Sequence, residues 1–236
     1  LETVKFLGSL DKIELQLFLN NKNLKSVDLP KGLKTIENSA FSGTSSLEQI
    51  KLPDTLTSIG NWSFEKSGLK KVEIPGSIKE IGTRTFGRNY NLTEVVINEG
   101  TEKIGEQAFG NTFNLTKMYL PKSVKSIADN VFNDDSYKDT SKLIIYTYKG
   151  SYAEEFAKKQ GISYELVDGV KDATTPTPTP TPTQKPAPTP VVTTVPKADV
   201  VAEIAQPTES TVLVNGKKVA FDAYNIKGSN YFKLRD

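Results

Sequence analysis

The chain has 236 residues, 36% of them hydrophobic and 25% charged, with a formal net charge of +2. That balance supplies no field to draw in nucleic acid or an anionic membrane, and no apolar run is long enough to span a bilayer. Cysteine and histidine are both absent, which excludes disulfides, thiolate metal sites, cysteine nucleophiles and any Ser-His-Asp triad.

From the first residue the chain repeats a phrase. Residues Leu24 to Pro30 read LKSVDLP, and the phrase returns as LEQIKLP from Leu47, LKKVEIP from Leu69, LTEVVIN from Leu92 and LTKMYLP from Leu115. Counting Leu1, the opening leucines are 23, 23, 22, 23 and 23 residues apart. A fixed period in this range marks a solenoid. No basic-then-apolar leader stands at Leu1, and because the chain opens within the pattern, Leu1 reads as the start of an excerpt or of a processed protein.

Each unit has two halves. In the first, Val27 and Leu29 alternate with Ser26 and Asp28, the period of a strand buried on one face. The proline that follows has no amide hydrogen and ends the pairing. The second half reads LKTIENSAF to Phe41, LTSIGNWSF to Phe64, IKEIGTRTF to Phe86, TEKIGEQAF to Phe109 and VKSIADNVF to Phe132. Its spacing predicts a tight turn or short helix, with Gly60, Gly82 and Gly105 at positions of positive φ. One unit is too short to close a core. Stacked units pair their strands in parallel about 4.8 Å apart and align their Leu, Ile and Phe side chains in internal columns.

After Phe132 the pattern stretches through NDDSYKDTSK to a strand, LIIYTY, and then to GSYAEEFAKKQG. Ser151 and Glu154 form a capping box. Tyr152, Ala153, Phe156 and Ala157 share a face. Glu154–Lys158 and Glu155–Lys159 are i,i+4 pairs, and Gly161 suits the helix stop. With ISYELV this segment, about 143–168, is read as a cap covering the last open edge.

From Thr174 the chain alternates Thr and Pro, which neither helix nor sheet accepts. Extended polyproline II at about 3.1 Å per residue lets some 25 residues reach on the order of 75 Å. Residues 169–208 are therefore a stalk-like linker. Beyond it, Asn215-Gly216 between VLV and KKVAF signals a hairpin and opens an incomplete β domain over 209–236.

The repeated halves L-x-x-I-x-L-P and I-G-x-x-A-F resemble the BspA-type leucine-rich repeat of bacterial surface proteins, over residues 1 to about 168. The resemblance implies a solenoid with a parallel β-sheet of short strands and short turns or helices opposite. It also implies a secreted or surface-displayed bacterial module that adheres to host matrix proteins or to other cells. Members often carry Cys three residues after the Phe. Here Asn21, Thr44, Ser67, Asn89 and Thr112 stand there, polar groups able to satisfy the turn backbone. Residues 209–236 resemble the opening of the stalk domain named after the copper amine oxidase N-terminal region, which implies a secreted or cell-surface protein of a Gram-positive bacterium, and with no histidine that name implies no copper.

Residues at one offset are alike when structural, so exceptions mark candidate sites. The outward strand position runs Lys5, Asp28, Lys51, Glu73, Val96, Tyr119. Its first four alternate in sign, worth a few tenths of a kcal/mol per neighbouring pair. Val96 and Tyr119 break the alternation, either as an anchor for a partner or as a surface covered by the loop around Tyr137. Trp62, the sole tryptophan, stands where Ser39, Arg84, Gln107 and Asn130 are polar. It either packs locally or stacks on a sugar or protein group. The stretch Asn133 to Asp139 holds three carboxylates without the spacing or glycine of a calcium loop and is read as a solvated insertion. Asn61, Asn91 and Asn114 lie in N-x-Ser/Thr sequons that recur because the repeat does. No carboxylate pair is specified for glycoside hydrolysis, and no cofactor or metal is implied. Two readings remain: an adhesin-like protein-binding module, or the noncatalytic polysaccharide-binding part of a larger secreted enzyme.

Overall fold

The computed structural model describes residues 1–6, 10–133 and 140–167, and the backbone of four strands between residues 212 and 234. Among the first six coils, every one but the third carries a longer strand and then a two-residue one. The first coil has β1 (Thr3–Phe6) and β2 (Lys12–Ile13), and the second β3 (Ser26–Asp28) and β4 (Thr35–Ile36). The third has only the short strand, β5 (Ser58–Ile59). Regular coils resume with β6 (Lys71–Ile74) and β7 (Glu80–Ile81), β8 (Glu94–Ile97) and β9 (Lys103–Ile104), and β10 (Lys117–Tyr119) and β11 (Ser126–Ile127). Then come β12 (Ile144–Thr147), helix α1 (Tyr152–Gln160) and β13 (Ser163–Leu166).

The longer strands pair in parallel and in register. Val4 faces Val27, Val72 faces Val95, and Val95 faces Met118. These side chains point inward, while Lys5, Glu73, Val96 and Tyr119 point outward, as the alternation predicts. The main sheet is nonetheless interrupted. Its C-terminal part runs β13-β12-β10-β8-β6, and its N-terminal part contains β1 and β3. The phrase LEQIKLP between them forms no strand, although Leu47 and Leu52 are buried like their counterparts. Lys5–Asp28 is a salt bridge at 3.3 Å, but the outward charge ladder expected through Lys51 is lost with that strand.

Opposite the sheet, the turns stack through hydrogen bonds repeated at each coil: Phe18 N–H donates to Ala40 O, Phe41 to Ser63 O, Phe64 to Thr85 O, Phe86 to Ala108 O and Phe109 to Val131 O. Inside lies a column of phenylalanines. Phe18, Phe41, Phe64, Phe86 and Phe109 stack with centroids 5.0 to 5.7 Å apart. The polar residues three positions after each Phe serve this turn. Thr44 Oγ1 donates to Phe41 O at 2.7 Å and Thr112 Oγ1 to Phe109 O at 2.8 Å. The fully buried Asn89 donates to Phe64 O and Phe86 O, at 2.8 and 2.9 Å, and accepts from Ser67 Oγ.

The glycine expectation is corrected. None of Gly60, Gly82 and Gly105 has positive φ. Gly60 and Gly82 are glycines because a Cβ would lie 2.4 Å from the Asn38 amide nitrogen or 2.3 Å from Asn61 Oδ1, in the coil below. The left-handed positions fall two residues later, on Trp62, Arg84 and Gln107, with φ of 55°, 51° and 52°.

The C-terminal segment folds largely as read. Ser151 Oγ caps α1 by accepting from Glu154 N–H, and Gly161 takes φ of 67° at its end. Glu154 reaches back to the Gly150 N–H at 2.6 Å, one residue beyond the amide a capping box uses. Its pair with Lys158 forms at 2.5 Å, whereas Lys159 turns to Asp129 at 2.8 Å. Tyr152, expected on the buried face, is exposed. Phe156, Ala157 and Ile162 are buried against the last coil. β13 pairs with β12 and becomes the new outer strand, with Ser163, Glu165 and Leu166 exposed. The segment therefore extends the sheet instead of covering its edge, and charge blunts the result.

Beyond it, β14 (Val212–Val214) and β15 (Lys217–Val219) are antiparallel neighbours, as a hairpin requires. β16 (Phe221–Ile226) and β17 (Ser229–Leu234) form a second antiparallel pair. β14 also lies antiparallel along β1, Val4 opposite Val214, an edge contact with no signal in the sequence. The linker 169–208, the turn Asn215-Gly216 and the loop containing Tyr137 lie outside the described residues.

Candidate functional site

The outward face of the main sheet changes character along the solenoid. Toward the N-terminus it shows Lys5 and Asp28. Toward the C-terminus one row of neighbouring strands presents Glu73, Val96, Tyr119, Tyr146 and Glu165, each in register with the next. Strand pairing sets these neighbours about 4.8 Å apart, and two tyrosines at that spacing stack. The Tyr119 and Tyr146 rings lie 4.6 Å apart at 16°. Val96 and both tyrosines are half-buried. Burial pushes the Tyr119 phenol above its ordinary pKa, and the charges of Glu94, Tyr146 and Glu165 push it the same way. Lys71 pairs with Glu94 at 3.3 Å on the adjacent row, and Lys122 sits over the Tyr148 ring at 4.8 Å.

The structure thus brings Val96 and Tyr119 together and adds Tyr146 beside them. Tyr146 was missed because the insertion after Phe132 shifts the alignment: Lys117 pairs with Ile144, so LIIY is offset by one residue from LTKMY. Trp62 lies elsewhere, on the turn stack, 38% exposed. A second exposed aromatic pair was also missed. Tyr90 and Phe113 stack at 6.2 Å just before the strands β8 and β10. The available signal was an aromatic two residues ahead of the opening leucine, where Lys22 and Ser45 stand in earlier coils.

These features suit recognition through an aromatic surface. Among the described residues no group of three or more acidic side chains is arranged to hold a metal ion, and no helix is long and apolar enough to cross a membrane. Of the carboxylate stretch Asn133 to Asp139, residues 134–139 lie outside the described residues.

No curated protein matches the chain. Among solved structures, it is similar to a leucine-rich repeat protein from Bacteroides ovatus, with 25% identity and a TM-score of 0.54 over 63% of this chain and 40% of that one. It thus spans well under half the length of that relative. A leucine rich cell surface protein from Faecalibacterium prausnitzii shows 18% identity and a TM-score of 0.33 over 72% of this chain and 60% of that one. The pneumococcal vaccine antigen PcpA shows 14% and 0.31 over 70% and 68%. The BspA type leucine rich repeat region matches residues 11–138 in six copies. The period, the phenylalanine column and this match agree: the chain belongs to the BspA type leucine rich repeat family.

Proposed function

We propose that this chain is an extracellular, adhesin-like protein-binding module, presented on the Thr/Pro-rich segment as a stalk. The observation that carries the reading is the Val96–Tyr119–Tyr146 row. A stacked tyrosine pair with an aliphatic neighbour, on the outward face of a rigid sheet, is a contact surface that loses little side-chain freedom when covered. The partner is a host matrix or cell-surface protein, and the family's surface association supports an extracellular setting. A second reading, a polysaccharide-binding accessory module of a larger secreted enzyme, is favoured by the exposure of Trp62.

The test is a binding screen of the full chain against immobilised matrix proteins and polysaccharides, repeated with Tyr119→Ser, Tyr146→Ser and Trp62→Ala. The proposal expects saturable protein binding, weakened by about tenfold or more in each tyrosine variant, the loss of a hot-spot side chain. Binding to glycans alone, abolished by Trp62→Ala, selects the second reading. Protein binding indifferent to both tyrosines removes this face from the proposal.

A further inference from the structure

The one 22-residue step in the sequence, Leu47 to Leu69, coincides with a discontinuity on two sides of the solenoid. On the main sheet, β3 has no hydrogen-bonded partner toward the third coil. Among the described residues a single backbone bond, Lys70 N–H to Glu48 O at 2.9 Å, joins that coil to the strand after it. On the short-strand side, neighbouring coils are bonded in series. Thr57 N–H donates to Lys34 O, Glu102 to Lys79 O and Lys125 to Glu102 O, with Gly60 to Ile36 O and Gly105 to Ile81 O beside them. Among the described residues the corresponding bonds from Lys79 to Thr57 and from Gly82 to Ile59 are absent, and β5 and β7 fall in different sheets.

Ion pairs follow the same division. Glu2–Lys25 and Lys5–Asp28 tie the first two coils. Lys71–Glu94, Glu80–Lys103 and Glu102–Lys125 tie the later ones. Glu48–Lys70 attaches the third coil to the strand after it, and Glu65–Arg88 at 3.7 Å ties it to the next coil on the turn stack.

The third side is unbroken. Trp62 N–H donates to Thr83 O, Phe64 N–H to Thr85 O and Lys66 N–H to Gly87 O. Asn61 N–H donates to Asn38 Oδ1 while Asn61 Oδ1 accepts from Thr83 N–H, both at 2.8 Å. The phenylalanine column runs through the same coil without a gap.

The third coil is thus held to both neighbours along the turn stack, and to the second coil also by β4 and β5. Among the described residues it is held to the fourth otherwise only through Lys70–Glu48 and the Ser77 Oγ–Leu56 O bond at 2.6 Å. This is the geometry of a hinge with its pin on the turn stack. We infer that the third coil, residues 47–68, is a joint at which the solenoid flexes, opening and closing its main sheet. The first two coils are one body, and the coils from Leu69 onward, with the whole tyrosine row, are the other. The shortened coil accounts for the gap. That coil is one residue short between Leu47 and Leu69, and at its end Gly68 leaves no room for a Cβ, which would lie 2.3 Å from Ser45 O.

The chain has no cysteine, so spin-label pairs can be placed on the full chain without background. Lys25→Cys with Lys117→Cys spans four steps of the main sheet across the joint. Lys70→Cys with Ser163→Cys spans four steps inside the second body. The expected result is a cross-joint distance distribution about twofold wider than the control. Equal widths overturn the joint. Hydrogen exchange on the unlabelled chain gives an independent reading. The amides of Gln49–Leu52 and of Lys79, Glu80 and Gly82 are expected to exchange about a hundredfold faster than those of Glu94–Ile97 and Glu102–Gly105, with Trp62 and Phe64 remaining protected. Fast exchange at Trp62 and Phe64 as well describes an unfolding coil and overturns the hinge.

Discussion

Replacing Phe64 by alanine tests the internal column directly. Phe64 is fully buried and stacks on Phe41 at 5.1 Å and on Phe86 at 5.4 Å, the rings within 6° of parallel. Deleting a buried ring costs about 3–5 kcal/mol, and each lost aromatic contact adds about 0.5–1.5 kcal/mol beyond area. With neighbours fixed on both sides the site cannot collapse, so the loss belongs at the upper end, about 5 kcal/mol. Phe18 stands at the end of the column with one stacked neighbour at 5.0 Å and 6% exposure. Phe18→Ala is expected to cost about 3 kcal/mol, because one contact is lost and the end is free to relax. Urea unfolding followed by far-ultraviolet circular dichroism measures both variants, and Trp62, the sole tryptophan, reports the same transition from within the coil of Phe64. If Phe64→Ala loses no more stability than Phe18→Ala, the stability is not carried by axial stacking and the column argument fails.

Three further outcomes follow from single side chains. Asn89→Ala leaves Phe64 O, Phe86 O and Ser67 Oγ without their buried partner, and chemical denaturation should show a loss of about 3 kcal/mol; a loss within experimental error would mean that water fills the site at no penalty. Ser63 Oγ is buried with no hydrogen-bond partner, in a column where Ala40 and Ala108 occupy the equivalent places. Ser63→Ala should therefore be neutral or raise the thermal midpoint, and a clear fall would reveal a partner for the hydroxyl. The Glu154 carboxyl is held below its ordinary value of 4.5 by the Lys158 ammonium and then by the Gly150 N–H, and Glu2 and Glu102 are lowered in the same way by Lys25 and Lys125. A carboxyl whose folded pKa is depressed contributes stability at neutral pH that is lost as the pH falls below about 4.5. Thermal midpoints should drop in that window, and by less for Glu154→Gln; an unchanged acid profile in that variant would remove Glu154 from the account.

The Trp62 backbone shows how a repeat reads differently from sequence and from structure. The recurring Gly60, Gly82 and Gly105 pointed to positive φ, the usual reason for a glycine in a turn. Inter-coil crowding gave Gly60 and Gly82 their purpose instead, and the left-handed turn fell on Trp62, Arg84 and Gln107. An exposed tryptophan at a repeating strained position is there because the turn repeats, which is why Trp62 stands apart from the Val96–Tyr119 surface.

The sequence by itself determined the solenoid, its inward columns, the turn-satisfying polar position and the capped helix. Each of these is a local problem solved anew in every coil, so one period of pattern contains the answer. Tertiary structure alone decided what depends on contacts between coils. Tyr146 came to lie on Tyr119 through a one-residue shift after an insertion. The strand of the third coil was lost where the period is one residue short. β14 found the edge of β1 from the far end of the chain. Axial neighbours are some 23 residues apart, and their register is the sum of every residue between them, so a change too small to disturb the pattern is enough to move a face or break a ladder.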